Sequence, residues 1–302
     1  MIMKSRKRKD VHNMKRVHSV FFAAFAVLTL WSMFIPLKRA SADDIRHSSD
    51  WDYIILSGTN TAEIIRYTGY PGCESTIVIP EYIDGILVTS IGESAFLGNS
   101  FLENIVIPDS ITSIGAYAFD NCTELSNIKI PDSVISIGDF AFGGCFSLKS
   151  VVIPDSVSSI GGNPFGRCFA EICISEDHPW LAIHNGALFE KTQRRLVSYP
   201  SGSEVATYEI IPGTQEIGDS AFYCSYYLDS VTIPNSVTSI GEYGFWDCSS
   251  MTRINIPDSV TFIGMNAFAN CRNLTVKVVK NSYAERYCIN NGLNYFVVPA
   301  SE

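Results

Sequence analysis

Residues 107–129 read I-P-D-S-I-T-S-I-G-A-Y-A-F-D-N-C-T-E-L-S-N-I-K, and the next 23 residues read I-P-D-S-V-I-S-I-G-D-F-A-F-G-G-C-F-S-L-K-S-V-V. The same unit restarts at Ile153, Ile233 and Ile256, with a shortened form at Ile211 and an interrupted one at Ile79. Its phenylalanines mark the coils: Phe96, Phe119, Phe142, Phe165, Phe222, Phe245 and Phe268. They lie 23 residues apart except for one gap of 57 between Phe165 and Phe222. A fixed period of this length is the signature of a solenoid, in which each repeat packs only against its neighbours.

Each position of the unit has a physical reading. Leu125-x-x-Ile128-x-Ile130 ends in alternation, as a strand with one buried face should. Pro131 stops that strand because proline cannot donate to a ladder. Pro-Asp-Ser is turn chemistry. A second short extended piece ends in Ile-Gly, and the glycine recurs as Gly92, Gly115, Gly138, Gly161, Gly218, Gly241 and Gly264. It is expected either to supply a positive φ or to permit close backbone approach at a corner. The A-F-x-x-C-x-x-L segment has apolar spacing near three and suits a helical or 3₁₀ turn. The expected fold is therefore a solenoid of stacked 23-residue coils, with parallel β ladders and short helical turns.

The ends depart from the repeat, as caps must. Residues 43–79 are expected to form an N-terminal β cap with a hairpin turning near Gly58-Thr59-Asn60. Repeats follow over 80–168 and 211–275. Between them, residues 169–210 read as a β-hairpin insertion packed on the solenoid, because Asn185-Gly186 separates two apolar runs. Residues 276–302 form the C-terminal cap: a short helix with Ser282 as N-cap, Glu285 as its capping-box acid and Gly292 as its stop, then a strand from Tyr295 to Val298.

Residues 1–42 carry nine Lys/Arg and one acid, around an apolar run from Val20 to Leu37 and a small-residue site at Ala40-Ser41-Ala42. This is the pattern of a secretory signal peptide, or alternatively of an uncleaved N-terminal anchor. Either sends the rest of the chain outward. The remaining residues hold 13 basic and 30 acidic side chains, a net of −17. Such a body repels phosphate backbones, so nucleic acid is not an expected partner, and membrane contact is expected only through an uncleaved N-terminal segment. No sorting tail is seen at the C-terminus.

The repeat I-P-x-S-V-T-S-I-G-x-x-A-F-x-x-C-x-x-L-x-x-V resembles the BspA-like leucine-rich repeat. Tyr67-Thr68-Gly69 with Ile79-Pro80 and Ile83-Asp84-Gly85 is similar to that family's N-terminal cap, and Ser282-Tyr283-Ala284-Glu285-Arg286-Tyr287 to its usual end. N-G-A-L-F-E-K and S-Y-P-S-G in the insertion are also similar to an insertion of that family. The resemblance covers about residues 53–297. It implies a curved leucine-rich-repeat solenoid on a cell surface, with adhesion and protein binding as the associated roles; it does not imply a particular partner.

Several other columns of the repeat carry residues of chemically active types. Cys122, Cys145, Cys168, Cys248 and Cys271 share one repeat position, and they read as small buried hydrophobes rather than as a disulfide or metal ladder. Asp109, Asp132, Asp155 and Asp258 form a second column, read as turn capping rather than as a calcium site. His178 and His184 flank Trp180 in the insertion and read as solvated loop histidines. No constellation of nucleophile, base and oxyanion donor is present, so the chain is expected to be no enzyme and to need no cofactor.

Two surfaces stand out as ligand-binding candidates. The position after the repeat Phe is expected to face outward; it places Tyr223 beside Trp246 on adjacent coils, with Tyr226 and Tyr227 close by. Tyrosine and tryptophan bury much area at little entropic cost. The strand-face column Val106, Lys129, Val152, Thr232 and Asn255 is the second, on what is expected to be the concave face. The expected function is a secreted or cell-surface module binding an extracellular protein. A carbohydrate-binding module using the same aromatics, or a structural surface-layer component, is the alternative.

Overall fold

The computed structural model describes residues 44–69 and 75–299, so the signal or anchor reading of residues 1–42 lies outside the described residues. Arg46–Glu302 forms one compact unit, and Met1–Ile45 is assigned to another, of which residues 44 and 45 are described.

The repeat coils contribute one strand each to two parallel ladders, and the first ladder runs two strands further than the second at the C-terminal end. The first ladder holds Thr76–Val78, Asn104–Val106 and Asn127–Ile128, then Ser150–Val152 beside Glu171–Cys173. It resumes with Thr207–Glu209, Ser230–Thr232, Arg253–Ile256, Thr275–Val279 and Asn294–Val298. The second ladder pairs Ile86–Ile91, Ser113–Ile114, Ser136–Ile137 and Ser159–Ile160, and later Glu216–Ile217, Ser239–Ile240 and Phe262–Ile263. Ile114, Ile137 and Ile160 sit in register, which is the 23-residue period expressed as geometry.

The third side of each coil carries no strand. It is a run of i→i−3 turns, such as Asp120 N–H to the Tyr117 carbonyl (3.1 Å) and Cys122 N–H to that of Phe119 (3.2 Å). Left-handed residues interrupt it at two fixed positions, as at Tyr117 and Asn121 or Tyr243 and Asp247. Each reversal of handedness stops the turn from growing into a helix and aims the next N–H along the solenoid. Phe96, Phe119, Phe142, Phe222 and Phe245 thus each donate at 2.8 Å to a carbonyl of the following coil.

The repeated glycine settles its two readings. None of the seven has a positive φ. At Gly115 a β-carbon would stand 2.7 Å from both the Glu93 nitrogen and the Gly92 carbonyl carbon, and the same collision recurs at Gly264 with Glu242 N at 2.5 Å. Close backbone approach is the reason, and the left-handed demand falls two residues later instead.

Inside the coils the phenylalanines stack. Phe119 and Phe142 lie 5.4 Å apart at 3°, and Phe222 and Phe245 lie 4.7 Å apart at 5°. Tyr67 ends this column at one cap (5.9 Å from Phe96) and Tyr287 at the other (6.2 Å from Phe268, edge-on). Cys122, Cys145, Cys248 and Cys271 are buried free thiols. Their sulfurs donate at 3.0–3.2 Å to the carbonyl of the previous coil's phenylalanine. They are packing residues whose sulfurs make weak hydrogen bonds. Burial pushes the Cys122 thiol up to about 12, so it holds little reactive thiolate.

The caps form as the sequence indicates. Trp51–Leu56 and Thr61–Tyr67 make an antiparallel hairpin, with Arg46–Ser48 on its outer edge. The C-terminal helix Tyr283–Asn291 starts where Ser282 Oγ accepts from Glu285 N–H (3.1 Å) and stops at left-handed Gly292. The Glu285 carboxylate reaches back to Asn281 N–H, one residue before the N-cap.

Part of the stretch read as an insertion is solenoid. Leu181–His184 and Ala187–Glu190 form the expected hairpin through Asn185 (φ 48°) and Gly186 (φ 81°). The next strand, Arg195–Ser198, pairs antiparallel with that hairpin on one edge and parallel with Glu216–Ile217 on the other. Tyr199 donates its N–H to Ala221 and packs on Phe222 (5.1 Å), taking the repeat phenylalanine's place. The coil therefore resumes before residue 211.

These contacts give a test in two substitutions. Gly115→Ala adds one carbon where backbone stands, and should cost about 2–4 kcal/mol. Gly98→Ala meets no atom within 4 Å but must hold a left-handed φ, and should cost about 1 kcal/mol. Urea unfolding of the two variants beside the parent measures both.

Candidate functional site

The outer face of the first ladder is a regular array of free-standing side chains. Lys129, Thr232 and Asn255 are all exposed, as the strand pleat requires. In the N-terminal half the same column holds Val78, Val106 and Val152, each more than half exposed. In the C-terminal half it runs Glu209, Thr232, Asn255, Lys277 in register. The N-terminal stretch is thus apolar around one cation, and the C-terminal stretch is polar as far as Lys277, beyond which exposed Phe296 stands in register.

A shallow groove follows the other ladder instead. Its lining includes Glu63, Ser90, Ser113, Ser136 and Ser159. The Ser113 hydroxyl donates to Ser90 (2.8 Å), and Ser90 donates to the Glu63 carboxylate (2.8 Å).

The aromatic candidates meet, but they are less exposed than expected. Tyr223 stacks on Trp246 at 4.7 Å and 10°. Phe140 strikes Tyr223 edge-on at 5.4 Å and itself stacks on Tyr117 at 5.7 Å. All four rings are half-buried, and they bridge the break between the two halves of the array. Tyr226 is half-buried as well, bonded to Asp247 and Cys224, and burial raises its phenol well above the usual range. Tyr227 alone of the predicted aromatics is mostly exposed.

The position after the repeat phenylalanine is not uniformly outward. Leu97 is exposed there, whereas Asp120 is buried. Left-handed Tyr117 and Phe140 lie on this side of the coils, and the small residues beside them make the room. A β-carbon on Gly166 would sit 2.5 Å from the Phe140 ring, and one on Gly143 2.5 Å from Asp120 Oδ1. Asp120 lies 3.7 Å from the Arg167 guanidinium, which also donates to Asn121 Oδ1 (3.2 Å). Burial outweighs that cation and lifts the Asp120 carboxyl to about 7. The sequence reading missed this pair. Its signal was Arg167 in a column otherwise held by Gly98, Asn121, Gly144, Cys224, Asp247 and Asn270, where a long cation has no backbone reason to be.

Two other expectations change. His178 is fully buried, not solvated: Nδ1 accepts from Leu181 N–H (3.1 Å) and Trp180 N–H (3.3 Å), and Nε2 faces the Pro154 carbonyl (3.1 Å). It pins the hairpin to the preceding coil; His184 stays exposed. Asp109, Asp132, Asp155 and Asp258 are exposed at the turns. Links to the previous coil at these turns run through the following serines, Ser133, Ser156 and Ser259, at 2.6–2.7 Å. Among the described residues no group of three or more His, Cys, Asp or Glu is placed to hold a metal ion.

The sequence matches the family described as the BspA type leucine rich repeat region, in six copies over residues 89–206 and 215–299. No curated protein matches the chain. Among solved structures, a leucine-rich repeat protein of Eubacterium ventriosum is similar at 23% identity and a TM-score of 0.58, over 78% of this chain and 71% of that one. A leucine rich cell surface protein of Faecalibacterium prausnitzii is 25% identical over 85% of this chain and 95% of its own, with a TM-score of 0.40. The pneumococcal vaccine antigen PcpA is 14% identical over 85% and 99%, with a TM-score of 0.50.

The buried carboxyl has a pH consequence. A folded pKa raised to about 7 means that between about pH 4 and pH 7 the folded state binds more protons than the unfolded one. Stability from this group is therefore lost as pH rises through that window. Asp120→Asn, which stays neutral, should flatten the decline; urea midpoints from pH 4 to pH 8 would show it.

Proposed function

Since the chain belongs to the BspA-type leucine-rich repeat family, we propose that it is an extracellular, non-catalytic binding module whose first-ladder face holds a protein partner. One observation carries this reading: Val78, Val106 and Val152 stand more than half exposed on a hydrogen-bonded ladder. Apolar side chains aligned on a rigid surface are a docking feature, because they lose hydration on binding and have little freedom to give up. Lys129 among them, and Thr232 and Asn255 further along, supply direction and specificity rather than bulk affinity.

The outward location is supported by the signal-like pattern of residues 1–42 and by the cell-surface description of the Faecalibacterium prausnitzii relative. The acidic body argues against nucleic acid. A glycan is the second reading, favoured by exposed Tyr227, four residues after Tyr223 of the Tyr223–Trp246 stack. The burial of Tyr223 and Tyr226 in the bridge between the two halves makes it the weaker of the two.

Binding to panels of immobilised extracellular proteins and glycans tests both. A saturable protein hit should weaken at least about tenfold in Val106→Glu/Val152→Glu, since each valine face is worth on the order of a kcal/mol. Both positions point to solvent, so the melting temperature should hold. A glycan hit lost in Tyr227→Ala instead, and untouched by the valine changes, would replace this reading with the second. No hit on either panel would sink both.

A further inference from the structure

The strand Asn294–Val298 closes the first ladder and differs from every other strand in it. Its inner edge pairs with Thr275–Val279 over all five residues. Among the described residues nothing pairs with its outer edge. Its sequence, N-Y-F-V-V, has no charge, and Tyr295, Phe296 and Val297 are all exposed. An open row of backbone N–H and C=O groups flanked by apolar side chains is a template for another strand, and proteins normally guard such an edge with lysine, proline or a bulge. Here only Pro299 follows, outside the five residues. The opposite ends are better guarded: Thr76–Val78 is three residues long, and Arg46–Ser48 carries charge.

We infer that this edge is a self-association site, at which the strand pairs antiparallel with the same strand of a second copy about a two-fold axis near Phe296. The alternative, head-to-tail stacking that brings Thr76–Val78 of one copy onto Asn294–Val298 of another, is blocked by the caps. On the second ladder Arg46–Ser48, Trp51–Leu56 and Thr61–Tyr67 extend three strands past Ile86–Ile91. At the other end that ladder stops at Phe262–Ile263, only two coil levels short of Asn294–Val298. The helix Tyr283–Asn291, which packs on Phe262–Ile263 and Thr275–Val279, fills one of those levels. At about 4.8 Å per strand, the overhanging hairpin would run into the helix and then into Phe262–Ile263. An antiparallel pair keeps both hairpins at the far ends. Centred on Phe296 it matches Tyr295 with Val297 of the second copy and Asn294 with Val298, with no like charges opposed. Two-fold pairing closes on itself, so it gives dimers and not filaments.

The test uses the protein purified as the expressing cell processes it. So short a strand pair makes a small interface. Light scattering should therefore show the mass doubling as concentration rises through the range from about 1 to about 100 μM. Hydrogen exchange at the high end should slow the amides of Asn294–Val298. Phe296→Lys/Val297→Lys should remain a monomer with an unchanged far-ultraviolet spectrum. A parent chain that stays monomeric throughout overturns the inference. So does a dimer that survives in the folded double variant, or one whose new protection falls outside this strand.

Discussion

Each coil approaches the next so closely at its Ile-Gly corner that one extra carbon has no room. At Gly115, Gly138 and Gly264 the space for a β-carbon is already taken by backbone of the preceding coil. That contact fixes the coil spacing, and the other columns take their geometry from it. The phenylalanine rings fall 4.7–5.6 Å apart and nearly parallel because their backbones repeat at that interval. The cysteine sulfurs reach the previous coil's carbonyl for the same reason. One steric constraint, repeated, replaces the many separate long-range contacts by which a globular core is specified.

The constraint also explains what happens where it lapses. The core divides into two clusters, one on each side of the hairpin insertion. Among the described residues the ladder that ends at Ser159–Ile160 has no strand continuing it into the second half. Side chains do the joining there. Buried Asn163 donates to the Ser220 carbonyl (2.6 Å) and accepts from the Ser198 hydroxyl (2.6 Å), while its own N–H bonds Val197 (3.2 Å). The Arg195 guanidinium bonds the Ile160 carbonyl (2.7 Å) while held by Glu190 (2.8 Å). Tyr117, Phe140, Tyr223 and Trp246 close the turn side over this join. A polar group with every bond made is a good joint in a core, because slippage would leave it buried and unpaired.

The repeat was legible because its reasons are local: strand alternation, a proline stop and a corner glycine each show in a few residues. The caps were legible for the same reason, since Ser282, Glu285 and Gly292 act within one helix. The join was not. Asn163 occupies a position where Ser94, Tyr117 and Phe140 are equally at home, and its partners lie up to 57 residues away. Tyr223 and Trp246 were rightly placed side by side by the period, but their burial depends on Phe140, which meets Tyr223 across the insertion in space that a side chain at Gly166 would fill. His178 looked like loop because its partners are backbone groups, which carry no sequence signal.

The varied outward column follows from the same division of labour. In a solenoid the inward positions are fixed by contact with two neighbours, so change accumulates on the outward ones. On the first ladder the inward residues Ile105, Val151, Val231 and Ile254 are interchangeable aliphatics, while the outward ones range over Val106, Lys129, Val152, Thr232 and Asn255. A cation or an amide at these sites costs the fold little, since nothing packs on them. Their chemistry is free to suit a partner, and the ladder beneath holds them at fixed spacing. The ladder thus meets during folding much of the entropic cost of ordering this proposed docking surface.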